Sequence, residues 1–206
     1  QRESFLPFLP LLRAHCDVVR LDFKRDYREA MVLAEMEQQC GAERKPPFYG
    51  LLSEGTEQRL SALFAKYSGD RPPQPVQLEV APGRTVAFAG HQAVLWTSFA
   101  DLALRELGPE EYIALARHFA VAFVVGVPQI SSADDNACRR FIWFIDQVYL
   151  HKTKLFLAAE RPLPELFRFD AEDTRDVALE IRRCLSRISE IHSLRYFQTP
   201  HRAAQG

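Results

Sequence analysis

The sequence predicts an α/β chain in which buried strands are flanked by helices. Three observations carry this: a continuous apolar run from Ala120 to Val125, an amphipathic helical stripe after it, and a second apolar run from Leu155 to Ala159. A strand buried on both faces reads as an unbroken apolar run, and two of them joined through a helix form a parallel crossover. With 206 residues, 47% of them hydrophobic, the chain can bury a sizeable core in one domain or two small ones.

Two proline-rich stretches, Arg44-Lys45-Pro46-Pro47 and Arg71-Pro72-Pro73-Gln74-Pro75, interrupt helices and central strands and separate three blocks. The first block predicts a short helix after Pro7, where Pro10 is tolerated because early helical N–H groups have no intrahelical partner. An apolar strand follows at Val18-Val19-Arg20-Leu21, then a helix from Asp26 to Gln39. Between the proline stretches, Leu60, Leu63, Phe64 and Tyr67 recur at helical spacing and predict an amphipathic connecting helix. After Pro75 the period becomes two: Val76, Leu78 and Val80 alternate, Pro82-Gly83 turns the chain, and Thr85 to Ala89 returns as a hairpin strand.

Pro109 opens a helix carrying Tyr112, Ile113, Ala116 and Phe119. The helix between the two apolar runs places Cys138, Phe141, Ile142, Ile145, Val148 and Tyr149 on one stripe behind the capping pattern Ser132-x-x-Asp135. A long final helix holds Val177, Ile181, Cys184, Leu185, Ile188 and Ile191 at the helical period. No repeat of fixed period and no low-complexity segment interrupts this order.

Lys plus Arg number 26 against 27 Asp plus Glu, so the net charge of -1 draws the chain toward neither nucleic acid nor acidic lipid. Tyr112, Phe119, Phe123, Phe141 and Phe144 could make a stacking platform for a single strand, but most lie on core-facing positions, and no nucleic-acid partner is expected. The apolar runs fall far short of the roughly 20 residues of a membrane-spanning helix, so no transmembrane segment is expected. The opening Gln1-Arg2-Glu3-Ser4 does not read as a signal peptide, and the missing initiator Met suggests a fragment. Cys16, Cys40, Cys138 and Cys184 lie far apart with no zinc-ligand spacing, so reduced thiols are expected, the latter two buried.

There is no G-x-x-x-x-G-K-[ST] loop to cradle a triphosphate and no G-x-G-x-x-G between a strand and a helix. Where a nucleoside triphosphatase places magnesium carboxylates at the end of a buried strand, this chain has Val125-Gly126-Val127-Pro128. No G-x-S-x-G elbow appears, and free-standing catalysis is not expected. Arginines remain. Arg139 and Arg140 project about 100 degrees apart and off the apolar stripe, with Arg139 on the side of Trp143 one turn on. They suit either an anion contact or a solvated helix face. Arg183 and Arg187 share a face with Asp176 and Glu180, as in an exposed charge ladder.

Several segments, in order, resemble the AAA-type ATPase family of ZapE and the lactation-elevated ATPases. They are Gln1-Arg2-Glu3-Ser4-Phe5-Leu6-Pro7-Phe8 with His15-Cys16-Asp17-Val18-Val19, Asp26-Tyr27-Arg28, Phe99-Ala100-Asp101-Leu102, and Leu107-Gly108-Pro109-Glu110-Glu111-Tyr112. Gly126-Val127-Pro128, Cys138-Arg139-Arg140-Phe141-Ile142, Ile145-Asp146, Lys154-Leu155, Leu166-Phe167 and Ser186-Arg187-Ile188-Ser189-Glu190-Ile191 continue the likeness. The chain departs from the family at Thr153, where Val is usual, at Ala158, where Ser is, and at Phe144, where Leu is.

The resemblance implies a C-terminal region: residues 1–25 as the tail of a P-loop ATPase core and residues 26–206 as a lid-like mixed α/β domain. The complete protein would bind ATP and Mg2+ through parts absent here, and this chain alone would bind neither. Arg2 matches the arginine finger offered to a neighbouring subunit, which implies a homo-oligomer. Arg140, Arg139 and Arg187, in that order, are candidates for the lid arginine that senses nucleotide in cis. The implied function is remodelling of a protein substrate, in cell division in a bacterial cytoplasm or in mitochondrial protein quality control in a eukaryote. The rival is a non-catalytic interaction domain that binds a partner through an exposed apolar groove and never meets nucleotide.

Overall fold

The computed structural model describes residues 49–131, 134–168 and 175–203, with Pro10 and His15. The helix after Pro7, the strand at Val18, the helix from Asp26, the boundary at Arg25, Arg2, Cys16, Cys40 and Ser132 lie outside the described residues. The strands are β1 (Tyr49–Leu51), β2 (Gln74–Ala81), β3 (Arg84–His91), β4 (Val94–Ser98), β5 (Val121–Val127), β6 (Ile130–Ser131), β7 (Lys154–Ala159) and β8 (Phe167–Arg168). The α-helices are α1 (Glu54–Ser68), α2 (Pro109–His118), α3 (Asp135–His151), α4 (Arg175–Ile191) and α5 (Leu194–Gln198).

Among the described residues six strands form one sheet in the order β1-β7-β5-β4-β3-β2, with parallel pairing from β1 to β4 and antiparallel pairing from β4 to β2; β6 and β8 make a small parallel pair. The expected parallel crossover is β5-α3-β7, in which Val121 pairs with Lys154 and Val124 with Leu157. A second one, β4-α2-β5, lies beside it, with Val94 opposite Val121 and Ser98 opposite Val125. The alternation of side chains along a strand divides the core into two layers. Val94, Val121, Phe123, Phe156 and Ala158 face α1, whereas Leu95, Ala122, Val124, Leu155 and Leu157 face the layer of α2 and α3.

Helix α1 is therefore more than a connector. Leu60 is fully buried and Phe64 nearly so, both against that first strand face. Ser53 caps the helix by accepting from the Thr56 N–H at 3.2 Å, and Gly69, at φ 64°, ends it in the left-handed conformation that glycine adopts without a Cβ clash. The hairpin turn forms at Pro82-Gly83, where Gly83 has φ 77° as the second central residue of such a turn requires. Phe119 lies just beyond α2 as its C-cap residue and is fully buried.

Helix α3 buries Cys138, Phe141, Ile142, Ile145 and Val148 as the stripe predicts, and also Ala137 and Phe144, because the turn Ala100–Leu104 and α2 pack against it as well. Its N-cap is Asp134, accepting from the Ala137 N–H at 3.3 Å, and not the expected Ser132-x-x-Asp135 box. Asp135 turns instead to Arg139. Thr153 explains its own departure from the family pattern. It is fully buried, and its hydroxyl donates to the Phe119 carbonyl at 3.0 Å, so the polar atom carries no unpaired desolvation cost.

Gly90 is required by close approach. A Cβ there would stand 2.6 Å from the Val94 carbonyl oxygen and 2.9 Å from the Phe119 ring. Gly90→Ala should therefore cost about 1–3 kcal/mol as overpacking, lowering the melting temperature by about 2–12 °C. A thermal unfolding curve superimposable on the parent's would refute this.

Candidate functional site

Ligands of open α/β sheets bind outside the carboxyl ends of parallel strands. Here those ends belong to β1, β7, β5 and β4. Between β1 and α1 the helix N-terminus is occupied by the Ser53 hydroxyl, and Glu54 and Glu57 sit in its first turn. Those carboxylates complement the positive end of the helix and repel phosphate. Strand β5 ends at exposed Gly126, with φ 67°, and Val127. Glu160, after β7, accepts from the Gln129 N–H at 3.2 Å, and Asp101, after β4, accepts from the Ser98 hydroxyl at 2.7 Å. Among the described residues no three His, Cys, Asp or Glu side chains are grouped to hold a metal. The described residues thus do not by themselves fit a magnesium-bound triphosphate.

The three candidate lid arginines do not converge. Arg139 is half exposed and pairs with Asp135 one turn back at 2.7 Å, a surface pair worth at most about 1 kcal/mol. The hydrogen bond to Asp135 raises its pKa further, and its guanidinium makes no stack on Trp143 among the contacts of the described residues. Arg187 binds Asp146 of α3 and lies 5.3 Å from the Tyr149 ring centroid. Arg183 reaches the same carboxylate at 3.4 Å. The expected charge ladder along α4 is therefore a bridge between helices: Asp146 meets Arg187 while Tyr149 donates to Glu190 at 2.8 Å, so α3 and α4 run in the same direction.

Arg140 differs. It is half-buried and donates from Nη1 to the Ala103 carbonyl at 3.2 Å, at the π-helical turn Ala100–Leu104 that follows β4. It has no carboxylate partner among the described residues. Beside it the Tyr112 phenol, donating to the Leu102 carbonyl at 2.5 Å, has its pKa raised by burial, against which the Arg140 charge works. A guanidinium offers five N–H donors, and a neutral carbonyl leaves its charge unmatched. Of the three, Arg140 is the one whose charge meets no carboxylate among the described residues.

Tyr112, Phe119, Phe123, Phe141 and Phe144 are all fully buried and present no stacking platform to a nucleic acid. Cys138 and Cys184 are both buried, and burial, with Asp146 nearby, pushes the Cys184 pKa well up. Sequence reasoning missed Asp146 as an ion-pair hub and Glu111 as a helix cap. Glu111 accepts from the Gly108 N–H at 2.8 Å and pairs with Arg84 at 2.5 Å. The Gly108-Pro109-Glu110-Glu111 spacing was a usable signal for the cap. No local signal marked Asp146, whose partners lie 37 and 41 positions away.

No helix among the described residues is long and apolar enough to cross a membrane. The family model described as AFG1-like ATPase matches residues 1–200. The chain is 28% identical to the cell division protein ZapE of Escherichia coli strain K12 over 204 residues, 98% of this chain and 50% of that protein. It is 26% identical to an uncharacterised protein of Schizosaccharomyces pombe, over 97% of this chain and 47% of the relative. To the lactation elevated protein 1 homolog B of Danio rerio it is 29% identical, over 85% of this chain and 34% of the relative. The chain spans about half the length of the first two of these relatives and a third of the last. No solved structure matches it. With the family model covering almost every residue of an α/β fold, the chain belongs to the AFG1-like ATPase family.

Proposed function

We infer that this chain is the C-terminal region of an ATPase that couples ATP hydrolysis to remodelling of a protein partner. The observation that carries the reading is the family match over residues 1–200 in a chain without a triphosphate-cradling loop. In this reading residues 1–25 end the ATPase core and residues 26–206 form the lid-like domain. The remainder of the protein binds ATP and Mg2+, and homo-oligomers bring Arg2 to a neighbouring subunit's nucleotide as an arginine finger. One relative's name refers to cell division. That role, in the cytoplasm, is the one proposed for a bacterial host, and mitochondrial protein quality control for a eukaryotic one. Purified alone, residues 1–206 should not hydrolyse ATP, whereas the complete protein should; phosphate release by the chain alone would overturn the assignment.

Within the domain, Arg140 is proposed as the lid arginine that contacts nucleotide in cis, with Arg139 and Arg187 held by Asp135 and Asp146. Closing over a phosphate, Arg140 exchanges its bond to the Ala103 carbonyl for a charge-assisted one. Losing such a bond costs about 1.5–3 kcal/mol, so Arg140→Ala in the complete protein should weaken nucleotide binding about ten- to a hundred-fold. Titration with a fluorescent ATP analogue measures it. Unchanged affinity with a lowered melting temperature would make Arg140 a pin for the π-helical turn and nothing more.

A further inference from the structure

Among the described residues β2 is the end strand of the sheet, and a groove of about 480 Å³ runs along it beneath α2. An end strand presents unpaired N–H and C=O groups that can template another strand. Pro75 removes one donor at the beginning of β2, and the register slips between Glu79 and Ala81, so the regular open stretch is Val76 to Glu79. Val80, Ile113 and Ala114 supply the apolar part of the groove, while Glu110 stands at one end and Arg117 at the other. Glu110 and Arg117 are exposed and have no ion-pair partner among the described residues.

The polarity of the groove follows from the antiparallel course of α2 over β2. Arg84, opposite Ala81, binds Glu111, whereas His118 faces the Gln92 carbonyl near the other end of β3. Glu110 and Arg117 stand about 10 Å apart along the helix axis, a span that the same-face positions i and i+4 of an extended chain, about 13 Å apart, reach with long side chains leaning inward. We propose that this edge binds an extended segment of a partner polypeptide as an added antiparallel strand. Its side chains facing the groove are a basic residue at i, an apolar residue at i+2 and an acidic residue at i+4. The basic residue meets Glu110, the apolar one rests on Ile113 and Ala114, and the acidic one meets Arg117. Backbone pairing supplies the affinity and the groove supplies the selection. A second copy of β2 does not fit, because Gln74-Pro75-Val76-Gln77-Leu78-Glu79-Val80-Ala81 has no basic residue to meet Glu110. The inference needs no nucleotide and stands apart from the ATPase reading.

The test uses fluorescein-labelled peptides against the chain of residues 1–206. Thr-Lys-Thr-Val-Thr-Glu-Thr should bind saturably and about five-fold more tightly than the charge-reversed Thr-Glu-Thr-Val-Thr-Lys-Thr, the effect of two exposed ion pairs. N-methylation of two consecutive central amides should abolish binding, since one of them must face β2. The double variant Glu110→Arg with Arg117→Glu, checked for an unchanged melting temperature, should invert the preference between the peptides. No saturable binding up to about 1 mM, where a complex is worth only about 4 kcal/mol, would overturn the proposal. So would equal binding of the two peptides, binding indifferent to N-methylation, or a concentration-dependent dimer that occupies the edge instead.

Discussion

An Arg2→Ala variant of the complete protein should bind nucleotide as the parent does and hydrolyse it at least about a thousand-fold more slowly. The magnitude follows from where the charge acts. A finger contributes little to the ground state, because its guanidinium meets charge that develops on the transferred phosphoryl group only at the transition state. The loss therefore appears in kcat, with the nucleotide dissociation constant unmoved. Mixing the variant with a protein that keeps Arg2 but lacks a working phosphate-binding loop should restore part of the activity, as action between subunits requires. Equal loss of binding and hydrolysis, or no rescue on mixing, would remove Arg2 from that role. The same assay separates Arg2 from Arg140, whose loss should appear first in affinity.

Phe123→Ala should remove about 3–5 kcal/mol of stability, a large part of what a domain of this size possesses. Phe123 is fully buried on the face of β5 toward α1. Its ring stacks on Phe156 at 4.5 Å and on Trp96 at 5.9 Å, and Phe64 meets it edge-on at 5.7 Å. Truncation thus opens a cavity in a layer whose neighbours are strands held by their own register. Phe123→Leu, which keeps most of the volume, should cost about 1.5 kcal/mol or less. Urea unfolding of the two variants gives the difference. If the alanine variant lost less than about 1 kcal/mol, this layer would have to relax in a way packed sheets seldom do.

Much of the fold was legible because its elements carry local periods. The hairpin of β2 and β3, the crossover of β5, α3 and β7, and the core faces of α1, α3 and α4 follow from alternation, helical spacing and turn residues within windows of a dozen positions. Strand β4 escaped because Val94-Leu95-Trp96-Thr97-Ser98 is short and does not alternate in polarity. It becomes a central strand only when β3 and β5 pair with its two edges. The cap of α3 escaped for a smaller reason: Asp134 and Asp135 are adjacent acceptors, and only the path of the chain decides which one turns back to the helix.

The site residues divide along the same line. By itself the sequence determined that the chain lacks a phosphate-cradling loop, that its arginines lie off the apolar stripes, and which family its ordered segments resemble; each is a matter of residue identity and short spacing. Only the tertiary structure decided which arginines are already engaged. Docking α4 parallel to α3 brings Arg183 and Arg187 onto Asp146, and placing the π-helical turn beside α3 gives Arg140 a carbonyl instead of a carboxylate. Among the described residues it also left β2 at the sheet's end, beside a groove charged oppositely at its two ends. The reason is range. Hydrophobic period and capping act over one or two turns, whereas a charge's partner is chosen by which elements come to lie side by side, and that choice belongs to the packing of the whole core.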